Sequence, residues 1–325
     1  MRLTSTLIVL SLAAVLGGCT AEDPESEEPA VPAGLENGSF TATLNDFQIH
    51  YEVHGQGPVL MAVTNSWGLS LEGLRAMYRP LEERLTMVYF DPRGMGGSEA
   101  VREDSDRGLA AVRADFQALR GHLGLETVNA IGWSNGAVNL IWLAHEHPET
   151  LSSAIFLHGM PAFTEQDAKA LQETHPELME VYGSFMQEMA DPEPSAEDKT
   201  ARQRTMWLEE YFPMLFADRD AAGDHLAKIY AEAELSWPHA EYSNKEASTF
   251  DARDILPDIP VRSLVIAGRH DMIPPEGVKP LHEGLPRSEW LVLENSGHFA
   301  PVEEPELFEA AVFDFLGVGD EAQKP

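Results

Sequence analysis

Short, mostly apolar runs bounded by turn residues recur along this chain and alternate with segments whose apolar residues return every three or four positions. Phe40 to Asn45 and Phe47 to Val53 alternate apolar and polar side chains on either side of Asn45-Asp46, which predicts an antiparallel opening hairpin. Val59 to Val63, Met87 to Phe90, Val128 to Ile131, Ala154 to Leu157, Val261 to Ala267 and Trp290 to Leu293 lack that alternation and read as strands buried on both faces. Leu69 to Arg84, Asp104 to His122, Ala137 to His147, a segment near Glu276 to Glu283 and Pro305 to Phe315 read as helices, Pro148 stopping the third. Strands alternating with helices predict an α/β fold: a mostly parallel, eight-stranded sheet covered by helices.

From about Pro161 to Phe250 the strand pattern stops while helix formers continue, so residues 161–250 are expected to form a helical cap. It interrupts a catalytic core expected over 39–160 and 251–317, with a flexible tail at 318–325. Met179, Met186, Met189, Met206, Trp207, Tyr211, Phe212, Met214, Leu215 and Phe216 recur in the cap at roughly helical spacing. Such residues either pack the cap onto the domain below or line an apolar pocket, where methionine adapts to ligand shape. Asp191-Pro192-Glu193-Pro194 reads as a loop within it.

The chemistry concentrates at Gly132-Trp133-Ser134-Asn135-Gly136, between a strand and a helix. Glycines at both ends let the chain reverse sharply, which lifts the serine hydroxyl above the sheet edge and sets the next backbone N–H at a helix start. Asp271 follows the strand ending at Ala267, and His298 follows the strand ending at Leu293. Serine, aspartate and histidine therefore occur in that order, each in a loop at a strand's carboxyl end, the edge where open parallel sheets bind ligands.

With Asp91-Pro92-Arg93-Gly94-Met95-Gly96-Gly97-Ser98 after the strand Met87 to Phe90, and Asp115 to Leu125 leading to the pentad strand, the chain resembles the α/β-hydrolase family over roughly residues 40 to 317. The resemblance implies a serine hydrolase with Ser134 as nucleophile, His298 as base and Asp271 orienting it. It also implies an oxyanion donor at the Asn135 N–H. The second donor usually comes from a His-Gly loop after the third strand, but this chain reads Thr64-Asn65-Ser66-Trp67-Gly68. By position the Ser66 N–H is expected there, with Asn65 as substitute, since asparagine is among the few residues besides glycine that tolerate positive φ. Trp67, Trp133 and Phe299 flank these groups and are the expected substrate-binding residues. A serine nucleophile disfavours the epoxide hydrolases and haloalkane dehalogenases of this fold, which use aspartate.

Arg2, the apolar stretch Leu7 to Leu16 and Leu16-Gly17-Gly18-Cys19 resemble a bacterial lipoprotein signal over residues 1–19, with Cys19 lipidated. That resemblance implies a lipid anchor in the cell envelope, facing periplasm or exterior. An ordinary secretory signal is the other reading. Residues 20–38 carry six acidic residues, no basic ones and three prolines, the composition of a disordered acidic tether. A formal net charge of −32 over 325 residues argues against nucleic acid as a partner. The remaining histidines lack the spacing of a metal site, and Gly94-Met95-Gly96-Gly97 lacks the lysine of a phosphate loop, so neither metal nor cofactor is expected.

The first expectation is hydrolysis of a small or medium carboxylic ester through an acyl-enzyme. A second is an aminopeptidase, because the cap with Trp207-Leu208-Glu209-Glu210-Tyr211-Phe212 resembles proline iminopeptidases, whose acidic cap residues hold a substrate's free amino terminus. A third, of another class, is a surface-anchored protein that binds a ligand and turns it over poorly.

Overall fold

A computed structural model describes residues 35–319 apart from 248–249. The expected signal with Cys19, the tether up to residue 34 and the tail beyond 319 lie outside the described residues. No helix among the described residues is long and apolar enough to cross a membrane.

Eight strands, β1 (Gly38–Leu44), β2 (Phe47–Gly55), β3 (Val59–Val63), β4 (Thr86–Phe90), β5 (Val128–Trp133), β6 (Leu151–Leu157), β7 (Ser263–Gly268) and β8 (Ser288–Leu293), form one sheet in the order β1-β2-β4-β3-β5-β6-β7-β8. Only β2 runs against its neighbours. It is joined to β1 by Asn45 and Asp46 at φ 48° and 65°, the left-handed pair that a two-residue hairpin requires. Leu35 is buried in the core.

The strand order reverses between β3 and β5, so the loop after β3 and the turn after β5 share the crevice where such sheets bind ligands. Two helices come out shorter than their hydrophobic spacing predicts. The first is α1 (Leu71–Tyr78), followed by a 3₁₀ turn at Arg79–Glu83 that contains Pro80. The stretch from Asp104 divides into a 3₁₀ turn and α2 (Leu109–His122) at Gly108, whose backbone is extended at φ −80° and ψ 170°, and a Cβ there would lie 2.9 Å from both Tyr242 and Glu246.

Side-chain alternation in the strands feeds two apolar layers. Met61, Val88 and Ala130 face Phe116 of α2, Leu140 of α3 (Asn135–Glu146) and Leu281 of α9 (Pro275–Gly284). Leu60, Met87 and Ile131 face Leu74 of α1 and Phe308 of α11 (Pro305–Leu316), and this second layer continues without a break into Phe185, Met206, Phe212 and Trp237. Those last four belong to the segment 161–250, which contains α4 (Glu165–Thr174), α5 (Pro176–Met189), α6 (Ala196–Thr205), α7 (Ala222–Ile229) and α8 (Trp237–Ala247). The helices covering the sheet edge are thus an extension of the hydrophobic core.

A buried ion cluster ties three distant segments together. Arg93 donates from Nε and Nη2 to Asp115 at 2.8 Å each and from Nη1 to Asp106 at 2.9 Å, while Asn45 of the hairpin turn donates to Asp115 at 2.8 Å. Removing one member of such a cluster strands the opposite charge. Arg93→Met is expected to cost about 3 kcal/mol in equilibrium urea unfolding, and an unchanged transition midpoint would contradict that role.

Candidate active site

Ser134 sits at φ 54° and ψ −118°, a strained backbone state for a residue with a side chain. Two steric facts impose it. A Cβ at Gly132 would lie 2.4 Å from the Gly136 carbonyl oxygen, and one at Gly136 would lie 2.6 Å from the Val63 carbonyl oxygen, so only glycines let strand, turn and helix close this tightly. The Ser134 N–H donates to the Leu157 carbonyl at 2.8 Å, and the Ser134 carbonyl accepts from the Ala137 N–H at 2.9 Å, starting α3.

His298 is held from three sides. Its N–H donates to the Leu215 carbonyl in the cap at 2.8 Å, its carbonyl accepts from Trp133 Nε1–H at 2.8 Å, and Glu303 on α10 (Ala300–Glu303) accepts from the Gly297 and Phe299 amides at 3.0 Å each. Its Nδ1 lies 3.0 and 2.9 Å from the two carboxylate oxygens of buried Asp271, and Asp271 Oδ1 also accepts the Ile273 N–H at 3.1 Å. Burial alone would raise the Asp271 carboxyl, but the neighbouring imidazoles outweigh it and hold the group well below the usual carboxylate range. Ser134 and His298 line the same cavity.

One of those imidazoles was not anticipated from the sequence. His158, the residue after β6, is fully buried at φ 55° with Nδ1 2.7 Å from Asp271 Oδ2 and its ring 5.2 Å from that of His298. The available signal was positional: a histidine directly after a buried strand that lies between β5 and β7 in the sheet.

The oxyanion loop departs from expectation. The Ser66 N–H, expected to face the substrate, donates instead to Asn135 Oδ1 at 2.8 Å, and Ser66 Oγ donates to the same oxygen at 2.9 Å. Asn65 does not take positive φ. Its side chain accepts the Trp67 N–H at 3.0 Å, and Gly68 supplies the left-handed residue at φ 74°. The cap clasps this loop, with Ser236 N–H donating to Gly68 O at 3.0 Å and Ser70 N–H to Glu234 O at 3.1 Å.

Trp67 and Trp133 line the cavity as expected of substrate-contacting residues, together with Asn65, Leu69, Asn135 and Met272. The cap contributes Trp207, Tyr211, Phe212, Leu215 and Tyr230, the first two projected by a π-helical turn at Met206–Tyr211. Met206 and Phe216 belong to the buried core, not the wall. Phe299 is also placed behind the wall, stacked 4.6 Å from Phe216 and packed against Trp133. Glu209 and Glu210 are exposed outside the cavity, Glu210 pairing with Arg202 at 2.7 Å, and among the described residues no carboxylate lines the wall. The indole N–H of Trp67 and the hydroxyl of Tyr230 find no partner among the described residues. The cavity leaves about 20 Å³ free, room for little more than a water molecule.

A second serine–histidine–aspartate chain exists at the edge of the sheet, where Ser39 Oγ lies 2.8 Å from His50 Nε2 and His50 Nδ1 2.7 Å from Asp91. Ser39 is exposed within strand β1 and outside the cavity, and no helix begins after it to supply amides to an oxyanion.

The sequence profile of the family described as alpha/beta hydrolase fold matches residues 64–305. The chain is 25% identical over 270 residues to the pimeloyl-[acyl-carrier protein] methyl ester esterase of Klebsiella pneumoniae, covering 82% of this chain and 95% of that one. It is 22% identical over 308 residues to a proline iminopeptidase of Clostridium botulinum, covering 84% and 94%. Among solved structures, an alpha/beta fold family hydrolase from Bacillus anthracis superposes with a TM-score of 0.71 at 20% identity, covering 86% of this chain and 99% of that one.

The turn at Ser134 depends on the close approach of Gly136 to β3. Gly136→Ala forces a Cβ against a backbone oxygen that has no free space to yield, and thermal unfolding is expected to show a loss of about 1–3 kcal/mol; an unshifted melting temperature would contradict the steric account.

Proposed function

Because the chain belongs to the α/β-hydrolase fold family, we propose that it is a serine hydrolase that cleaves a small or medium carboxylic ester through an acyl-enzyme. The observation that carries this reading is that strained Ser134 opens into the same cavity as His298, whose far nitrogen is bound to buried Asp271. A serine hydroxyl is a weak nucleophile near neutral pH, so His298 takes its proton during attack on the acyl carbon and returns it to the leaving alcohol. Water then attacks the acyl-enzyme with His298 again as base, and Asp271 holds the ring and balances the imidazolium. The Asn135 N–H, at the start of α3, stabilises the oxyanion. The imidazoles beside Asp271 keep its carboxylate ionised well below neutrality, so it remains an anion beside the base throughout the working range.

The cavity wall favours an ester over a peptide amino terminus. It offers apolar surface and two unpartnered donors, Trp67 Nε1–H and Tyr230 Oη–H, but no carboxylate to receive an ammonium group. The free space around Ser134 is small, so an acyl group is accommodated when side chains of the wall, or the cap that carries five of them, give way. The engaged Ser66 amide supports the competing reading of a binding protein with weak turnover.

Labelling with a fluorophosphonate, mapped by mass spectrometry, is expected to modify Ser134 and to vanish in Ser134→Ala. Ser134→Ala and His298→Ala should each lower ester turnover by roughly a million-fold. A folded protein that resists the probe would favour ligand binding, and faster cleavage of prolyl amides than of p-nitrophenyl esters would favour an aminopeptidase. Leu16-Gly17-Gly18-Cys19 supports, from sequence alone, an acylated anchor in the cell envelope. Cys19→Ala should then move the protein from the membrane to the soluble fraction, and unchanged partitioning would remove the anchor from the account.

A further inference from the structure

Asp271 is approached by two imidazoles, and the proposed mechanism uses only one. His158 reaches it from the loop after β6, His298 from the loop after β8, and the Ile273 amide occupies a further acceptor site on Oδ1. Nothing about His158 is incidental to its backbone. Its N–H is fixed on the Ile266 carbonyl at 2.9 Å, and it holds a left-handed φ of 55° that few side chains tolerate. The Nδ1 contact at 2.7 Å is short but bent, so by angle neither ring nitrogen has a hydrogen-bond partner. A nitrogen lone pair that close to a carboxylate oxygen would be repelled, so Nδ1 carries the hydrogen and sets the positive end of its N–H beside the anion. Complete burial keeps the ring neutral, because desolvation lowers its proton affinity more than Asp271 raises it.

Resting on the serine hydrolase reading, we propose that His158 is a positioning residue: a neutral imidazole that shares the Asp271 carboxylate with His298, fixing its orientation and limiting how strongly it holds a proton on His298. A lone carboxylate would give its full charge to the base and favour the imidazolium over the neutral ring. The N–H dipole of His158 draws off part of that charge without adding a cation that would oppose the imidazolium formed during catalysis. The other titratable groups facing the cluster are Glu303 behind the His298 loop and Tyr211 and His175 of the cap. Glu303 accepts three backbone amides, from Ala217, Gly297 and Phe299. Burial raises Tyr211 and lowers His175, so neither adds charge near neutrality.

The test is the pH dependence of kcat/KM for ester hydrolysis by the full chain with His158→Leu and His158→Asn. Leucine removes the donor. Asparagine tolerates the left-handed backbone and sets an amide N–H near the place of Nδ1. His158→Leu should move the acid limb upward by roughly one pH unit, lowering kcat/KM about tenfold below the limb and leaving the alkaline plateau unchanged. His158→Asn should restore the wild-type limb. A folded His158→Leu with an unmoved limb, or a loss that is equal at all pH values, would overturn the proposal.

Should leucine prevent folding, two-bond ¹H–¹⁵N spectra of the wild-type protein read the tautomer directly. A neutral Nδ1–H form of His158 persisting at pH 6 is expected, and an Nε2–H or protonated ring would overturn the assignment. His158, Asp271 and His298 also bring three potential metal ligands within 4.8 Å of one another. Activity abolished by EDTA and restored by zinc would make the trio a metal site and overturn the positioning role; insensitivity to EDTA supports it. Absence of ester turnover with no labelling of Ser134 would sink the functional reading instead, and the wild-type tautomer would still report on the contact.

Discussion

A carboxylate buried at Asp271 is the constraint around which the rest of the site is arranged. An ion in an apolar interior is costly unless polar groups surround it, and here the His298 imidazole and the Ile273 amide bond to it while the His158 ring lies 2.7 Å away. Satisfying it requires the ends of β6, β7 and β8 to lie side by side, which the parallel strand order provides. It also requires His298 to be clamped, and the clamp draws on three regions: Trp133 from the serine turn, Leu215 from the cap and Glu303 from α10. Moving any one of them disturbs how the ring meets Asp271, so the serine turn, the cap and the last helices are mechanically one object.

The cap follows the same logic. Its apolar residues continue the layer formed by α1 and α11, so Met206 and Phe212 stabilise the fold while neighbouring Trp207 and Tyr211 close the cavity. A cap built into the core resists opening, yet the space beneath it is too small for an acyl chain. The π-helical turn at Met206–Tyr211 and the loop at Gly68 face one another across that space, Trp207 lying 6.3 Å from Trp67 between ring centres. The loop at Gly68 is hydrogen-bonded to the cap at Glu234 and Ser236, not at the π-helical turn itself.

Periodicity located all eight strands within a few residues, because burial on both faces leaves an unmistakable run of apolar side chains. The glycines at 132 and 136 marked the serine turn, since each excludes a Cβ for a steric reason. Asp271 and His298 were legible as polar residues just past buried strands, and the fold brings them into contact. Tertiary contacts account for what was missed. His158 obeys the same positional pattern but belongs to no expected trio. The Ser66 amide is taken by the side chain of Asn135, a pairing of residues 69 positions apart that no local pattern encodes. Gly108 is extended between two helical turns and lies close against α8 of the cap, and Phe299 stacks in the core on Phe216, again a cap residue.

The most direct test of the account is a crystal structure of the full chain after reaction with a phosphonate that mimics the tetrahedral intermediate of ester cleavage. The account predicts phosphorus bonded to Ser134 Oγ, His298 Nε2 within about 3 Å of that oxygen or of the leaving-group oxygen, and the phosphoryl oxygen on the Asn135 amide. An adduct on another serine, Ser39 included, or a His298 ring that faces away from the bound phosphonate, would contradict it.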